Sequence, residues 1–283
     1  MGALLALGMA ATTLSASTLE EVKARGILNC GTSTGVAGFS LPDANNVYQG
    51  FDVAVCRAVA AAVLGDPMAV EFVPTTGKTR FTALASGEVD VLSRTTTWTF
   101  SRDVDLKLDF HGVNYYDGQG FMVPKSLGVT SAKDLDGATV CIQVGTTTEL
   151  NLADFFRVNG ITYEPVPTEK SSESRSLYQA EACDVYTTDA SGLASARSTF
   201  ADPDAHVILP EIVSKEPLGP VTRHGDNQWG DIVRWTLNAL ISAEELGITK
   251  ANVAEMAAAP TNNPEINRMM GTEGNLGEML GLD

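Results

Sequence analysis

In the stretch Val91-Leu92-Ser93-Arg94-Thr95-Thr96-Thr97-Trp98-Thr99-Phe100-Ser101-Arg102-Asp103, a run of hydroxyl side chains is followed by a guanidinium. Residues 81–90, FTALASGEVD, read as a short helix, a glycine stop and the start of a buried strand. The strand therefore delivers the hydroxyls to its C-terminal end. There the chain turns into a helix with Thr99 at the N-cap position and Arg102 in the first turn. Free backbone N–H groups, threonine hydroxyls and a guanidinium then converge on one point. Arginine offers two parallel donors that match a carboxylate, and hydroxyls or carbonyls can receive an ammonium. Such a constellation can seat the backbone end of a free α-amino acid. The same residues also describe a threonine-rich strand end with a surface arginine.

Around this stretch the chain alternates strand and helix. Residues 26–31 form a short buried strand, 52–64 (DVAVCRAVAAAVL) an apolar helix, 70–74 a strand and 80–85 a helix; the strand after it ends at Ser93. A second cycle begins past residues 123–125. It has a short helix at 131–135, a strand at 138–144 and a helix at 147–159 closed by Gly160. A strand at 162–166, a helix at 171–182 and a strand at 184–189, ending in a carboxylate, complete it. Near residues 215–220 (KEPLGP) the character changes again. Residues 227–246 form a long amphipathic helix with Trp229, Ile232, Val233, Leu237, Leu240 and Ile241 on one stripe. Strand–helix alternation implies parallel sheets with ligands at the C-terminal strand ends. Two similar α/β units joined by Pro- and Gly-flanked crossings, at 118–123 and 211–220, imply two lobes and a hinge.

At 283 residues the chain suits one large or two modest domains. Its content, 44% hydrophobic and 19% charged, is that of an ordinary water-soluble globule. A formal charge of -16 makes nucleic acid and anionic membrane surfaces poor partners. Residues 1–17, MGALLALGMAATTLSAS, are apolar, too short to span a bilayer, and end in small residues that fit a cleavage site before Thr18. They read as a secretory leader, and the lack of any Lys or Arg before Lys23 points to a start upstream of Met1. Four cysteines fit two disulfides in an exported protein, with three pairings possible. Cys30 with Cys56 and Cys141 with Cys183 is preferred, because each pair then lies within one compact unit. There is no C-x-x-C, and His111, His206 and His224 show no ligand spacing, so no metal site is expected.

Three further motifs bear on chemistry. Gly31-Thr32-Ser33-Thr34-Gly35 has the letters of a nucleophile elbow, but an elbow runs straight into a helix and Gly38, Pro42 and Asn45-Asn46 make this a loop. Gly77-Lys78-Thr79 lacks the first glycine of a phosphate-binding loop, since Phe72 stands there. Gly145-Thr146-Thr147-Thr148-Glu149 lies between a strand and a helix, where exposed N–H groups meet the positive end of the helix dipole. It is an anion seat or a plain helix cap.

Thr99-Phe100-Ser101-Arg102 matches the Thr-x-x-Arg motif of bacterial solute-binding proteins of the polar amino-acid family, which feed ATP-driven importers. The run from Leu92 through Ser93, Arg94, Thr96, Thr97 and Trp98 to Thr99 resembles the general L-amino-acid-binding subgroup. So do Gly145-Thr146-Thr147, the strand ending at Asp189, and the dozen residues from Lys215 to Asp226. Gly50-Phe51-Asp52-Val53-Ala54-Val55 is similar to the family's Gly-Phe-Asp-x-(acidic)-x signature, with Ala54 departing from it. The resemblance covers nearly the whole chain. Family members continue past the position of Asp283, which implies a fragment at both ends.

The resemblance implies an α/β type II periplasmic binding protein with two Rossmann-like lobes joined by a two-strand hinge. Lobe 1 would take residues 18–120 and 217–283, and lobe 2 residues 121–216. By position, Arg102 would clamp an α-carboxylate with Thr97 and the Thr147 backbone or hydroxyl, while Asp189 and Thr95 would take the α-ammonium. A zwitterion leaving water needs partners at both ends. Arg80 stands where acidic-amino-acid binders carry an arginine for the side-chain carboxylate. Ser33 and Phe39 lie in the loop that lines the side-chain pocket; Val36 and Ser33 replace the Tyr and Asp of basic-ligand binders.

The implied function is a monomeric, cofactor-free periplasmic component of an ABC importer. It would bind Glu, Gln, Asp and Asn with some breadth and deliver them to the permease membrane subunits. The alternative is an enzyme on the same fold, resembling the secreted cyclohexadienyl dehydratases. That chemistry needs a buried carboxyl poised to give a proton, for which Asp189 is the evident candidate.

Overall fold

The computed structural model describes residues 16–282. The expected leader at 1–17 lies outside the described residues except for Ala16 and Ser17. Ser17 caps the helix Thr18–Arg25, with Glu20 completing a reciprocal capping box.

Two five-stranded sheets organise the chain. In the first the order is Val70–Thr75, Leu28–Ser33, Val91–Leu92, Val221–Arg223, Leu108–Phe110. Its first three strands are parallel, as the alternating segments require, and Val221–Arg223 runs antiparallel to both neighbours. The second sheet repeats the plan: Tyr163–Thr168, Ala138–Gln143 and Val185–Asp189 are parallel, then Gln119–Pro124 and His206–Ile208 follow antiparallel. In each sheet the fourth strand comes from beyond the unit's own three-strand run, so the chain crosses between the lobes twice.

The crossings pair with each other. Tyr115–Asp117 and Glu216–Leu218 form an antiparallel two-stranded ribbon with Asp117 opposite Glu216. The first crossing thus lies just before the expected 118–123, most of which is a buried strand of the second sheet. Gly219 follows the ribbon where a Cβ would stand 2.0 Å from the Gly112 carbonyl oxygen, so only glycine lets the returning strand pass.

Each lobe has its own apolar centre. Leu28, Val59, Val63 and Val91 pack with Trp229, Ile232 and Val233 of the helix Asn227–Glu245 in the first. Phe121, Val140, Ile142, Leu152, Phe156 and Val185 fill the second. On the long helix the expected stripe is buried only as far as Leu237; Leu240 and Ile241 are about two-fifths exposed, because no described element covers its last turns.

Both disulfides lie within one lobe, Cys30–Cys56 behind the first sheet and Cys141–Cys183 in the second, closing separations of 26 and 42 residues. Chain-entropy bookkeeping gives each about 3.5–4 kcal/mol. Peptide mapping of the oxidised protein is expected to recover these two links. A bond between Cys56 and Cys183 would overturn both the pairing and independent lobe movement.

Candidate functional site

Asp52, in the first turn of the helix Phe51–Leu64, shapes the critical turn. Its buried carboxylate accepts the Thr95 N–H at 3.0 Å and the Ser93 hydroxyl at 3.4 Å. This pins the chain as it leaves the strand Val91–Leu92 and holds Thr95 at a φ of 48°, a left-handed conformation uncommon outside glycine. Burial pushes Asp52 up to about 6, against the Arg94 charge and the two hydrogen bonds, which lower it. Downstream, Thr99 Oγ accepts the Arg102 N–H at 3.3 Å, the expected cap, although the turn it opens, Ser101–Asp105, is π-helical.

Three guanidiniums gather behind this turn. Arg102 is 6% exposed, donates from Nη1 to the Thr97 carbonyl at 2.8 Å and sits 5.2 Å from the Phe81 ring centroid. Arg80 opens the helix Arg80–Ser86 and lies 4.6 Å from the same ring. Its Nη2 reaches the Gly145 carbonyl of the other lobe at 3.3 Å. Phe81 thus carries two cations on its π system, a contact that strengthens out of water. Arg94 is the third, and it is equally buried. Burial lowers Arg94 and Arg102 to about 10. Arg80 falls well below the ordinary arginine range, first through burial and then through Arg94 and Arg102, with Asp189 and Glu216 opposing.

The second lobe brings the helix Thr147–Asn159 to the same place, capped by Thr146 Oγ on the Glu149 N–H at 3.2 Å. Thr97 and Thr147 hydroxyls lie 3.4 Å apart across the lobes. Both donate to Glu216 Oε2, at 2.5 and 3.0 Å. On the same hinge carboxylate Oε1 accepts Asn151 Nδ2 at 2.8 Å and Ser214 Oγ at 2.6 Å. A hydroxyl has one proton to give. With those protons committed to Glu216, Thr97 and Thr147 can only accept from a ligand. The donors left for a carboxylate are the Arg102 fork and the first-turn N–H groups of the Thr147 helix, which have no intrahelical partners.

Asp189 ends the strand Val185–Asp189 and lines a cavity of about 40 Å³ together with Gly35, Val36, Thr95, Ser191 and Ser195. Its carboxyl is pushed up to about 8, chiefly by burial and then by the Glu216 and Asp117 charges, while Arg80 and Arg102 pull it down. Asp189 is therefore mostly protonated at neutral pH without a ligand.

Thr95 and Asp189 line this cavity, while Arg80, Thr97, Arg102 and Thr147 meet beside it at the lobe contact, and the Arg80 and Arg102 charges reach Asp189. Ser33 and Phe39 are placed differently. The Ser33 hydroxyl is fully buried, 2.6 Å from that of Ser40, and accepts the Gly35 N–H at 3.3 Å. Phe39 packs edge-on against Phe51 and Tyr115, with centroids 6.3 and 5.3 Å away. Neither lines the cavity; they shape the loop that carries Gly35 and Val36 to it. After Ser33 the chain makes a Val36–Ser40 bridge rather than a helix, which removes the elbow. Gly77 and Gly145 instead serve lobe contact, since a Cβ on Gly77 would stand 2.5 Å from the Val144 carbonyl oxygen. Sequence reasoning missed Glu216 as a hub and Arg94 as a cluster member. Both stand inside quoted motifs, and a charge within a buried motif was the available signal. Among the described residues no cluster of His, Cys, Asp and Glu could hold a metal ion, and no helix is long and apolar enough to cross a membrane.

The chain is similar to known proteins along nearly its whole length. Residues 28–251 match the family model of bacterial extracellular solute-binding proteins, family 3. The chain is 66% identical over 282 residues to the glutamate/glutamine/aspartate/asparagine-binding protein BztA of Rhodobacter capsulatus, spanning 100% of this chain and 83% of that one. It is 57% identical over 278 residues to the general L-amino acid-binding periplasmic protein AapJ of Rhizobium johnstonii, spanning 98% and 81%. A solved ABC transporter/periplasmic binding protein from Brucella ovis with glutathione bound superposes with a TM-score of 0.90, at 55% identity, over 95% of this chain and 84% of that one. With two lobes, a ribbon hinge and charged groups of both signs meeting in the cleft, the chain belongs to the bacterial extracellular solute-binding proteins, family 3.

Proposed function

We propose that the protein captures L-amino acids between its lobes, as the periplasmic component of an ABC importer, and hands them to the permease membrane subunits. The observation that carries this is the division of charge in the cleft: buried guanidiniums on one lobe face an acid, Asp189, on the other. A zwitterion supplies the missing counter-charge at both ends. Arg102 and the N-terminus of the Thr147 helix hold the α-carboxylate, while Asp189 and Thr95 hold the ammonium. Glu216 keeps the Thr97 and Thr147 hydroxyls in place.

Glutamate, glutamine, aspartate and asparagine are the preferred ligands, because Arg80 adds a donor for a side-chain carboxylate or amide carbonyl. The name of the Rhodobacter capsulatus relative supports the same set. The protein binds as a monomer and without a cofactor. Calorimetry against the twenty amino acids tests the reading, and failure to bind any of them ends it. Arg80→Ala is expected to weaken glutamate about tenfold or more and alanine hardly at all, the cost of an unpaired ligand carboxylate. Equal losses would remove Arg80 from the specificity pocket. A turnover assay with prephenate and arogenate on the same preparation checks the enzymatic alternative; no product is expected.

A further inference from the structure

Arg94 has no role in that account, yet its surroundings demand one. It is 5% exposed, and its Nε has no hydrogen-bond partner. Among the described residues no carboxylate oxygen lies within 4.0 Å of its guanidinium. Asp52 is its nearest opposite charge by influence, but the Asp52 oxygens accept from the Thr95 N–H and the Ser93 hydroxyl and make no hydrogen bond to Arg94. It also feels the charges of Arg102, Arg80 and Asp189. Arg80 Nε is also buried and unpartnered.

Burying an unpaired charge is among the larger penalties a fold can carry, and an unsatisfied buried donor calls for an acceptor. Arg80 and Arg102 each place one side-chain bond on a backbone carbonyl, Gly145 and Thr97. Most of the donor capacity of three forks is left for something outside the chain. One carboxylate accepts one fork side by side. The cluster therefore has donors for a second carboxylate beyond the one that Arg102 holds.

We propose that Arg94 is a ligand-contacting residue that joins Arg80 in receiving the second carboxylate of a dicarboxylic amino acid. This rests on the amino-acid-binding reading above and deepens it: within the preferred set, the paired forks of Arg80 and Arg94 favour the dicarboxylates glutamate and aspartate over their amides, whose carbonyl needs only one donor group. The competing role for Arg94 is that of a structural counter-charge to Asp52, which would leave ligand discrimination untouched.

Arg94→Met removes charge and fork but keeps an unbranched chain. Calorimetry with glutamate and alanine, beside thermal unfolding without ligand, separates the two roles. Glutamate affinity is expected to fall about 10- to 100-fold and alanine affinity less than about threefold. The ligand-free Tm is expected to hold or rise, because an unpaired buried charge has gone. Arg94→Lys keeps a charge near Asp52 and loses the planar fork. It covers the case in which the methionine variant does not fold, and glutamate should again fall relative to alanine. An unchanged glutamate-to-alanine ratio in either folded variant overturns the proposal. A wild-type protein that binds no amino acid overturns the functional reading instead, so the two failures are distinguishable.

Discussion

Arg102→Ala is expected to weaken every α-amino acid ligand by about 2–5 kcal/mol while the protein still folds, because the ligand's carboxylate is left buried and unpaired. The loss should be nearly the same for glutamate, glutamine and alanine, which share only their backbone groups. The fold should survive. Beyond its stacking on Phe81, Arg102 makes one side-chain hydrogen bond, to the Thr97 carbonyl, and its burial already holds it below the ordinary arginine range. Arg102→Lys keeps the charge without the fork and should fall between the two. Calorimetry with all three ligands and a thermal melt without ligand check this. Full affinity in the alanine variant would move the α-carboxylate elsewhere in the cleft.

The contrast among the arginines follows from position. Arg102 stands beside the Thr97 backbone and the Glu216 hub, at the proposed seat of the α-carboxylate that all the ligands share. Arg80 bridges to Gly145 at the lobe contact, and Arg94 immediately precedes Thr95, whose N–H Asp52 holds. Glu216 makes the hydroxyls around Arg102 acceptors only. That leaves the arginine and the backbone of the Thr147 helix as the donors for the proposed carboxylate seat, a division visible only once partners 119 and 69 residues away in sequence, Thr97 and Thr147, had been placed.

Local patterns carried much of the architecture. The helix expected at 147–159 is Thr147–Asn159, and that at 52–64 begins one residue earlier, at Phe51. In both, glycine closes the helix in a left-handed cap, a signal contained in the chain itself. The helix Ala190–Ser198 was not anticipated. Its run of small residues and hydroxyls lacks an apolar period, and it is held by packing of Leu193 and Ala196 against the second sheet. The expected second crossing at 211–220 contains Glu216–Leu218, whereas the first lies a few residues ahead of 118–123, because Tyr115–Asp117 is a strand only by virtue of that partner. In the site, residue types and spacing pointed to Arg102 and the threonine run, whereas the parts given to Thr97 and Asp189 rest on the family resemblance. The part of Ser33 rests on the resemblance, which puts it in the loop near the pocket; in the structure its hydroxyl turns inward to that of Ser40.

Ligand binding should strengthen with pH up to about 8, because Asp189 must give up its proton to receive an ammonium. Burial raises this carboxyl, Glu216 and Asp117 add to the effect, and Arg80 and Arg102 only partly oppose it. In the ligand-free protein at neutral pH the proton is mostly on. The complex needs it off, so binding releases close to one proton and the association constant rises about tenfold per pH unit below that point, levelling above it. The sign reverses for ligand-free stability. A carboxyl raised in the folded state binds its proton more tightly than in the unfolded chain. Its contribution is present at low pH and is lost as pH rises through the folded value. Calorimetry of alanine at pH 6, 7 and 8, in buffers of different ionisation enthalpy, measures the released proton directly; alanine avoids titration of a side-chain carboxylate. Asp189→Asn should abolish the proton release and flatten the pH dependence. It should also weaken alanine by about 2–5 kcal/mol, since the ammonium loses the carboxylate proposed to hold it. Proton release that persists in the asparagine variant would take the ammonium away from Asp189.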